Sequence, residues 1–405
     1  MTRFRVASRI AELRPTAVNR VLDEVRAYQA SGRTALSLMR GQPDSPTPAH
    51  IVEAAEQSLQ RGRTGYPDNQ GEPALRQAVA DKLRRDQGLA YDPGSEILIT
   101  DGATCGLALA LGAVLEPGDE VLLPDPIYDA YASPIALFGG RGIPVRSIVQ
   151  GGRFTLERSA LEAAHSPRSR ALLLNHPWNP VGTVFTSADL QTIVDFVSEH
   201  NLVLISDEIY ESLVYDGRRH ISPASLDGAR SRTILVNSLS KTYAMTGWRV
   251  GYCAAPAELT RAMLLLLQQF SRGPATFVQD AAACALLSSQ ESSTQRAAEY
   301  QARRDRVIRA LQGIPGIRPL IPEGGLFVMV DLRELQDGVA SDDVRRFLLE
   351  RHGVVVIHGS AYGPGGEGLL RVSFAAGGKT LDDGLARLRE GLVEIASGQW
   401  HEARP

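Results

Sequence analysis

The chain has 405 residues, of which 43% are hydrophobic, 22% charged and 6% aromatic. That is enough apolar material for a large core, and the length rules out a single small binding module. Its 43 basic and 46 acidic residues give a net charge of −3, without the basic excess that phosphate-backbone binding needs, so nucleic acid is not an expected partner. No run approaches the roughly 20 apolar residues of a membrane span, and the first residues carry no apolar leader. Cys105, Cys253 and Cys284 have no Cys-x-x-Cys spacing, which indicates neither a disulfide framework nor a zinc site. The expectation is a cytoplasmic protein with no metal and no membrane partner.

A helix is expected over 16–30, followed by the apolar segment 35–38. Short β-branched runs then alternate with amphipathic stretches, the rhythm of parallel strands joined by helices. The predicted strands cover 96–100, 120–123, 142–148, 171–175, 202–206, 233–237 and 248–254, with helices such as 187–200 between them. This is an α/β pattern, a mostly parallel seven-stranded sheet between helices. Past about residue 290 the pattern changes to a charged helix over 292–312, short strands at 326–331, 353–357 and 369–374, and a final helix. A smaller α+β domain is expected there. The division is 46–290 for the large domain and 1–45 plus 291–405 for the small one, the first segment packing against the second.

The chain has only three lysines, at 82, 241 and 379. Lys82 reads as a solvated helix-face residue and Lys379 as a loop residue. Lys241 ends the run Ile234-Leu235-Val236-Asn237-Ser238-Leu239-Ser240, which delivers it to the carboxyl edge of the sheet, where open α/β folds bind ligands. A lysine desolvated there loses its charge more readily, and such an amine forms Schiff bases with aldehyde cofactors. The plain alternative is a helix-start lysine reaching water.

Its surroundings favour the chemical reading. Gly102-Ala103-Thr104 follows a predicted strand and opens a helix, where free N–H groups and the helix dipole suit a phosphate. Ser238 and Arg249 can add a hydroxyl and a guanidinium to that phosphate, and Ser240 can support the lysine. Asp207 and Glu208 end the apolar run 202–205, so at least one carboxylate reaches the carboxyl edge and needs a cationic partner. A protonated pyridine nitrogen is one such partner. Tyr210 and Asn179 lie where they could bond a ring hydroxyl.

The segments Asn179-Pro180-Val181-Gly182, Ser206-Asp207-Glu208-Ile209-Tyr210, Ser238-Leu239-Ser240-Lys241, Gly247-Trp248-Arg249-Val250-Gly251 and Leu370-Arg371-Val372-Ser373-Phe374 occur in this order. Together they resemble the class I/II aminotransferases, the fold-type-I enzymes dependent on pyridoxal 5′-phosphate (PLP), from about Leu36 to Ala375. The resemblance implies that Lys241 binds the cofactor as a Schiff base and shuttles the substrate Cα proton. Asp207 would pair with the ring nitrogen, Tyr210 and Asn179 would bond the ring hydroxyl, and Tyr128 would stack on the ring. Ala103, Thr104, Ser238 and Arg249 would form the phosphate cup, with Gly102 at its turn and Ser240 beside the lysine. Tyr66 would reach the phosphate of a neighbouring subunit, which implies a homodimer with shared sites. Arg371, with Gly41 and Asn179, would hold the substrate α-carboxylate.

The implied reaction is a ping-pong exchange of an amino group between an L-amino acid and a 2-oxo acid. The same cofactor also serves β-lyases, racemases, decarboxylases and cyclising synthases, which fold likeness does not separate. Side-chain specificity is left open: Arg40 and Arg272 are candidates for a substrate carboxylate, and Trp178 and His358 depart from the family pattern.

Overall fold

The computed structural model describes residues 6–13, 15–335 and 340–400. The parts of the expected small domain at 1–5, 14, 336–339 and 401–405 lie outside the described residues. The large sheet has seven strands: β1 (Ile97–Thr100), β2 (Glu120–Asp125), β3 (Arg141–Arg146), β4 (Ser169–Asn175), β5 (Val203–Asp207), β6 (Thr233–Ser238) and β7 (Gly251–Ala254). Their order is β1-β7-β6-β5-β4-β2-β3. All neighbours run parallel except β7, which is antiparallel to both β1 and β6.

The apolar runs read as continuous because helices cover both faces of this sheet. Alternation sorts the residues. Leu173, Ile205 and Val236 enter one core with Leu107 and Leu111, while Leu172, Leu174 and Leu204 enter another with Leu190 and Phe196. The register aligns Asn175 with Asp207, Asp207 with Val236, and Gly251 with both Ser238 and Thr100. Strand-end polar residues separated in sequence are thereby gathered along one edge.

The helices that matter below are α1 (Ala17–Ala30), α2 (Pro73–Gln87), α3 (Ala103–Val114), α4 (Ser187–Glu199), α5 (Leu239–Thr242), α6 (Glu291–Leu311), α7 (Ser341–His352) and α8 (Gly378–Ala396). A second, antiparallel sheet has β8 (Arg318–Leu320), β9 (Phe327–Asp331), β10 (Ile357–His358) and β11 (Leu369–Ser373) in the order β8-β9-β11-β10. Helices α6, α7 and α8 cover it through a core that includes Val307, Val328, Leu348, Val372 and Leu388. Helix α1 packs Ala17, Val21 and Val25 against Leu349, Val355 and Tyr362.

Several elements differ from expectation. The strand foreseen at 248–254 begins only at Gly251, because Arg249 is left-handed with φ 54° and cannot lie in a strand. The segment 353–357 divides: Val354–Val355 pairs with Leu36–Ser37, and Ile357 joins β10. Lys82 is not on a solvated face; it is 5% exposed and ion-paired with Glu211 and Asp86. Lys379 lies in the first turn of α8 rather than in a loop.

Candidate active site

A cavity of about 470 Å³ opens at the carboxyl edge of the large sheet. Its walls bring together Gly41, Ala103, Thr104, Tyr128, Asn179, Asp207, Tyr210, Ser238, Ser240, Lys241, Arg249 and Arg371. Gly102 stands just outside, and Tyr66 is 91% exposed and away from it. A wider hollow of about 640 Å³ adjoins it through Gln42 and Thr246, but its one charged residue, Asp44, is committed to Arg303. The chemistry therefore concentrates in the smaller cavity.

Strand β6 ends at Ser238, whose side chain accepts the Ser240 N–H at 3.1 Å and caps the short helix α5. That turn presents Lys241, whose Nζ donates to the Gly41 carbonyl at 2.8 Å. Burial lowers the Lys241 pKa to about 8, aided by Arg249 and Arg371 and opposed by Asp207. The approach requires glycine at 41, since a Cβ there would lie 2.5 Å from the Phe327 ring.

The two strand-end carboxylates separate. Glu208 turns into a closed polar network, accepting from Ser206 at 2.9 Å and Ser222 at 2.8 Å and lying 2.7 Å from His220. Asp207 faces the cavity, and its bonded partners are neutral: the Tyr131 hydroxyl at 2.5 Å and the Ile209 N–H at 3.3 Å. Burial raises its pKa to about 6. A carboxylate held this way favours a cationic ligand atom. Asn175 fixes the neighbouring turn, donating to the Asp207 carbonyl at 3.0 Å and accepting the Asn179 N–H at 2.6 Å.

On the other side, α3 begins beside Arg249, which donates to the Thr246 carbonyl at 2.9 Å and the Asp101 carbonyl at 3.2 Å. Gly102, at φ 80°, leaves no room for a Cβ, which would sit 2.5 Å from the guanidinium. Helix N-terminus, guanidinium and serine hydroxyls converge as an anion cup.

Arg371, 2% exposed, lies over the Phe327 ring at 3.9 Å and the Tyr362 ring at 4.8 Å. One of its nitrogens donates to the Met39 carbonyl at 2.8 Å, another is 3.5 Å from Asn179 Oδ1, and its Nε is buried without a partner. A cation so desolvated favours an anionic ligand.

Sequence reasoning missed Tyr131, Phe327 and Tyr362, which contact site residues only through the fold. Trp178 does not line the cavity; its indole donates to the Pro126 carbonyl at 2.8 Å and stacks on Phe185. His358 lies 2.8 Å from the Ser360 hydroxyl, and Arg272 3.4 Å from Asn69, both outside the cavity.

The family pattern described as aminotransferase class I and II matches residues 33–388. The chain belongs to this family. It is 36% identical to aromatic-amino-acid aminotransferase 2 of Thermococcus litoralis, covering 96% of this chain and 98% of that protein. It is 40% identical to the arginine–pyruvate transaminase of Pseudomonas aeruginosa, over 90% of this chain and 91% of the relative. The crystal structure of the aspartate aminotransferase from Rhizobium meliloti superposes with a TM-score of 0.92 at 34% identity, covering 96% of this aminotransferase and 99% of that chain. The seven-stranded sheet and the site lie within this shared fold, which is fold type I.

Proposed function

We propose that this aminotransferase uses PLP to exchange an amino group between an L-amino acid and a 2-oxo acid in a ping-pong reaction. The carrying observation is the pairing in one cavity of a lysine whose pKa falls to about 8 with an aspartate whose pKa rises to about 6.

The residues fit the cofactor. Asp207 has only neutral hydrogen-bond partners and would gain a cationic one in the ring nitrogen. The anion cup beside Gly102 suits the phosphate, and Tyr128, Asn179 and Tyr210 line the space between. When bound, PLP supplies an electron sink that makes the substrate Cα–H acidic. Lys241 would supply the amine that holds the cofactor, and its free amine would be the base that takes and returns the substrate Cα proton. Asp207 would face the ring nitrogen and favour its protonated form. Arg371 holds the α-carboxylate with support from Asn179 and the Gly41 segment, which fixes the Cα beside the lysine.

The chain further reads as a large domain over 46–290 and a small one formed by 1–45 with 291–405. Its exposed Tyr66 supports a homodimer in which that side chain serves the neighbour's phosphate. Three free cysteines support a reducing, cytoplasmic setting. Among the described residues no helix is long and apolar enough to cross a membrane. The relatives are named for aromatic, arginine and aspartate donors, so likeness alone does not choose the amino acid.

The test is to add amino acids singly to the PLP-loaded protein and assay every product. Oxo acid released in one equivalent per site, without ammonia or carbon dioxide, is the expected result. Ammonia or carbon dioxide as the stoichiometric product would replace transamination by a lyase or decarboxylase reaction.

A further inference from the structure

We propose that Arg296 is a positioning residue for the reaction: it braces the turn that carries Lys241 against the segment 41–45 and so sets where the lysine amine stands. The inference rests on reading Lys241 as the amine that binds the cofactor, and it deepens that reading.

Helix α5 is a single turn, Leu239–Thr242. Ser238 caps its start, and the Tyr243 N–H closes on the Leu239 carbonyl at 3.1 Å. So short a helix leaves its last carbonyls without partners of its own. The Thr242 carbonyl receives one from α6: Arg296 Nη1 donates to it at 2.5 Å. The Nε of the same guanidinium donates to the Ser45 hydroxyl at 3.3 Å.

These two bonds complete a circuit around the amine. Lys241 Nζ donates to the Gly41 carbonyl at 2.8 Å, the chain runs from Gly41 to Ser45, Arg296 ties Ser45 to Thr242, and Thr242 directly follows Lys241. The segment is anchored on both sides of the circuit. The Arg40 carbonyl accepts from the Ser373 hydroxyl at 2.5 Å, and the Thr47 hydroxyl donates to the Ala244 carbonyl at 2.8 Å. Displacing the lysine turn relative to Gly41 therefore has to stretch a bond to Arg296.

Arg296 also differs from its neighbours on α6. Arg303 and Arg304 are ion-paired with Asp44 and Asp216. Arg296 is 8% exposed and, among the described residues, has no ion-pair partner. The acids whose charge reaches it, Asp44 and Glu299, are bonded to Arg303. A buried cation without a counter-ion is costly, and an apolar side chain of similar length would fill the space without that cost. What the guanidinium adds is a rigid planar group that meets two acceptors on different elements at once.

The experiment follows covalent capture of PLP by the full chain freed of cofactor. It is run at about pH 9.5, where Lys241, with its pKa of about 8, is mostly neutral. Rates over a range of PLP concentrations separate the non-covalent dissociation constant from the first-order step, and borohydride trapping counts the adduct. Arg296→Met is expected to slow the first-order step about tenfold and to leave the non-covalent constant little changed, because a misplaced reacting group costs rate rather than affinity. Arg296→Lys should recover part of that rate, since an ammonium keeps the charge without the fork. Ser45→Ala removes one arm of the brace and leaves the cation in place, so it should slow the step by less, about threefold. A residue that only stabilised the fold would lower the urea midpoint and the PLP affinity together and spare the first-order step; that pattern overturns the proposal. A difference confined to pH values below the Lys241 pKa also overturns it, because Arg296 would then act on the charge of the lysine and not on its place. If the wild-type protein captures PLP and Arg296→Met captures it as fast, this proposal fails alone. If the wild-type protein forms no trappable adduct, the cofactor reading of Lys241 fails with it.

Discussion

The hydroxyl of Tyr131 donates to Asp207 Oδ2 at 2.5 Å, inside a wall where both side chains are buried. A hydrogen bond to an ionised group contributes about 1.5–3 kcal/mol, and this one favours the charged form of Asp207. Tyr131→Phe should therefore raise the Asp207 pKa above its present value of about 6. The acid limb of the kcat/KM profile should move to higher pH, and the PLP dissociation constant should rise about tenfold. Fluorescence titration of PLP together with the pH profile checks both. An acid limb that stays in place removes Tyr131 from this role.

Lys241→Ala should still bind PLP non-covalently while yielding no adduct that borohydride can trap. In the wild-type protein without cofactor, the Lys241 pKa is lowered to about 8. The neutral amine is the reactive form, so covalent capture of PLP should quicken roughly tenfold per pH unit below that value and level off above it. Stopped-flow absorbance at several pH values measures this. A capture rate independent of pH between 6 and about 9 would contradict the assignment.

Lys82 and Glu211 form an ion pair whose side chains are 6% and 9% exposed. Lys82→Ala strands the carboxylate and should destabilise the fold by about 3–5 kcal/mol, read from urea unfolding. Replacing Lys82 with Met and Glu211 with Leu together should cost clearly less, because no charge is left unpaired. Equal losses for the single and double variants would mean that packing, not pairing, dominates there.

The misreading of Lys82 has a physical cause. Its charged neighbours Asp81, Arg84 and Arg85 made the segment look solvated, yet Leu75, Val79 and Lys82 follow one another at helical spacing on the buried face. The place on the buried face was visible; the partner, Glu211, was not. The large sheet was legible because both its faces are apolar, and six strands begin or end within a few residues of expectation. Arg249 shifted the seventh, since a left-handed arginine carries no sequence signal. Lys241, Asp207 and Arg371 were singled out through their motifs, and the fold brings them to one cavity. Tyr131 was not, because its role depends on β2 and β5 lying on the same sheet edge, a relationship of 76 residues in sequence separation.

If Tyr66 serves the neighbouring subunit, Lys241→Ala and Tyr66→Phe subunits should complement each other. Mixed in equal amounts and reassociated, they should regain up to about a quarter of wild-type sites, since only hybrid dimers hold one intact pair. Sedimentation should give a dimer throughout. A fully active monomer, or mixing without any gain over the parent variants, would place Tyr66 outside the site.

Arg249 is held at φ 54° with its side chain anchored to two carbonyls. A residue with a Cβ is disfavoured in that conformation by roughly 1–2 kcal/mol, and glycine is not. Arg249→Gly should thus relax the loop even as the anion cup loses its guanidinium. Thermal endurance alone does not register the loss of that guanidinium, so a screen for robust forms of this protein has to be run with the cofactor present.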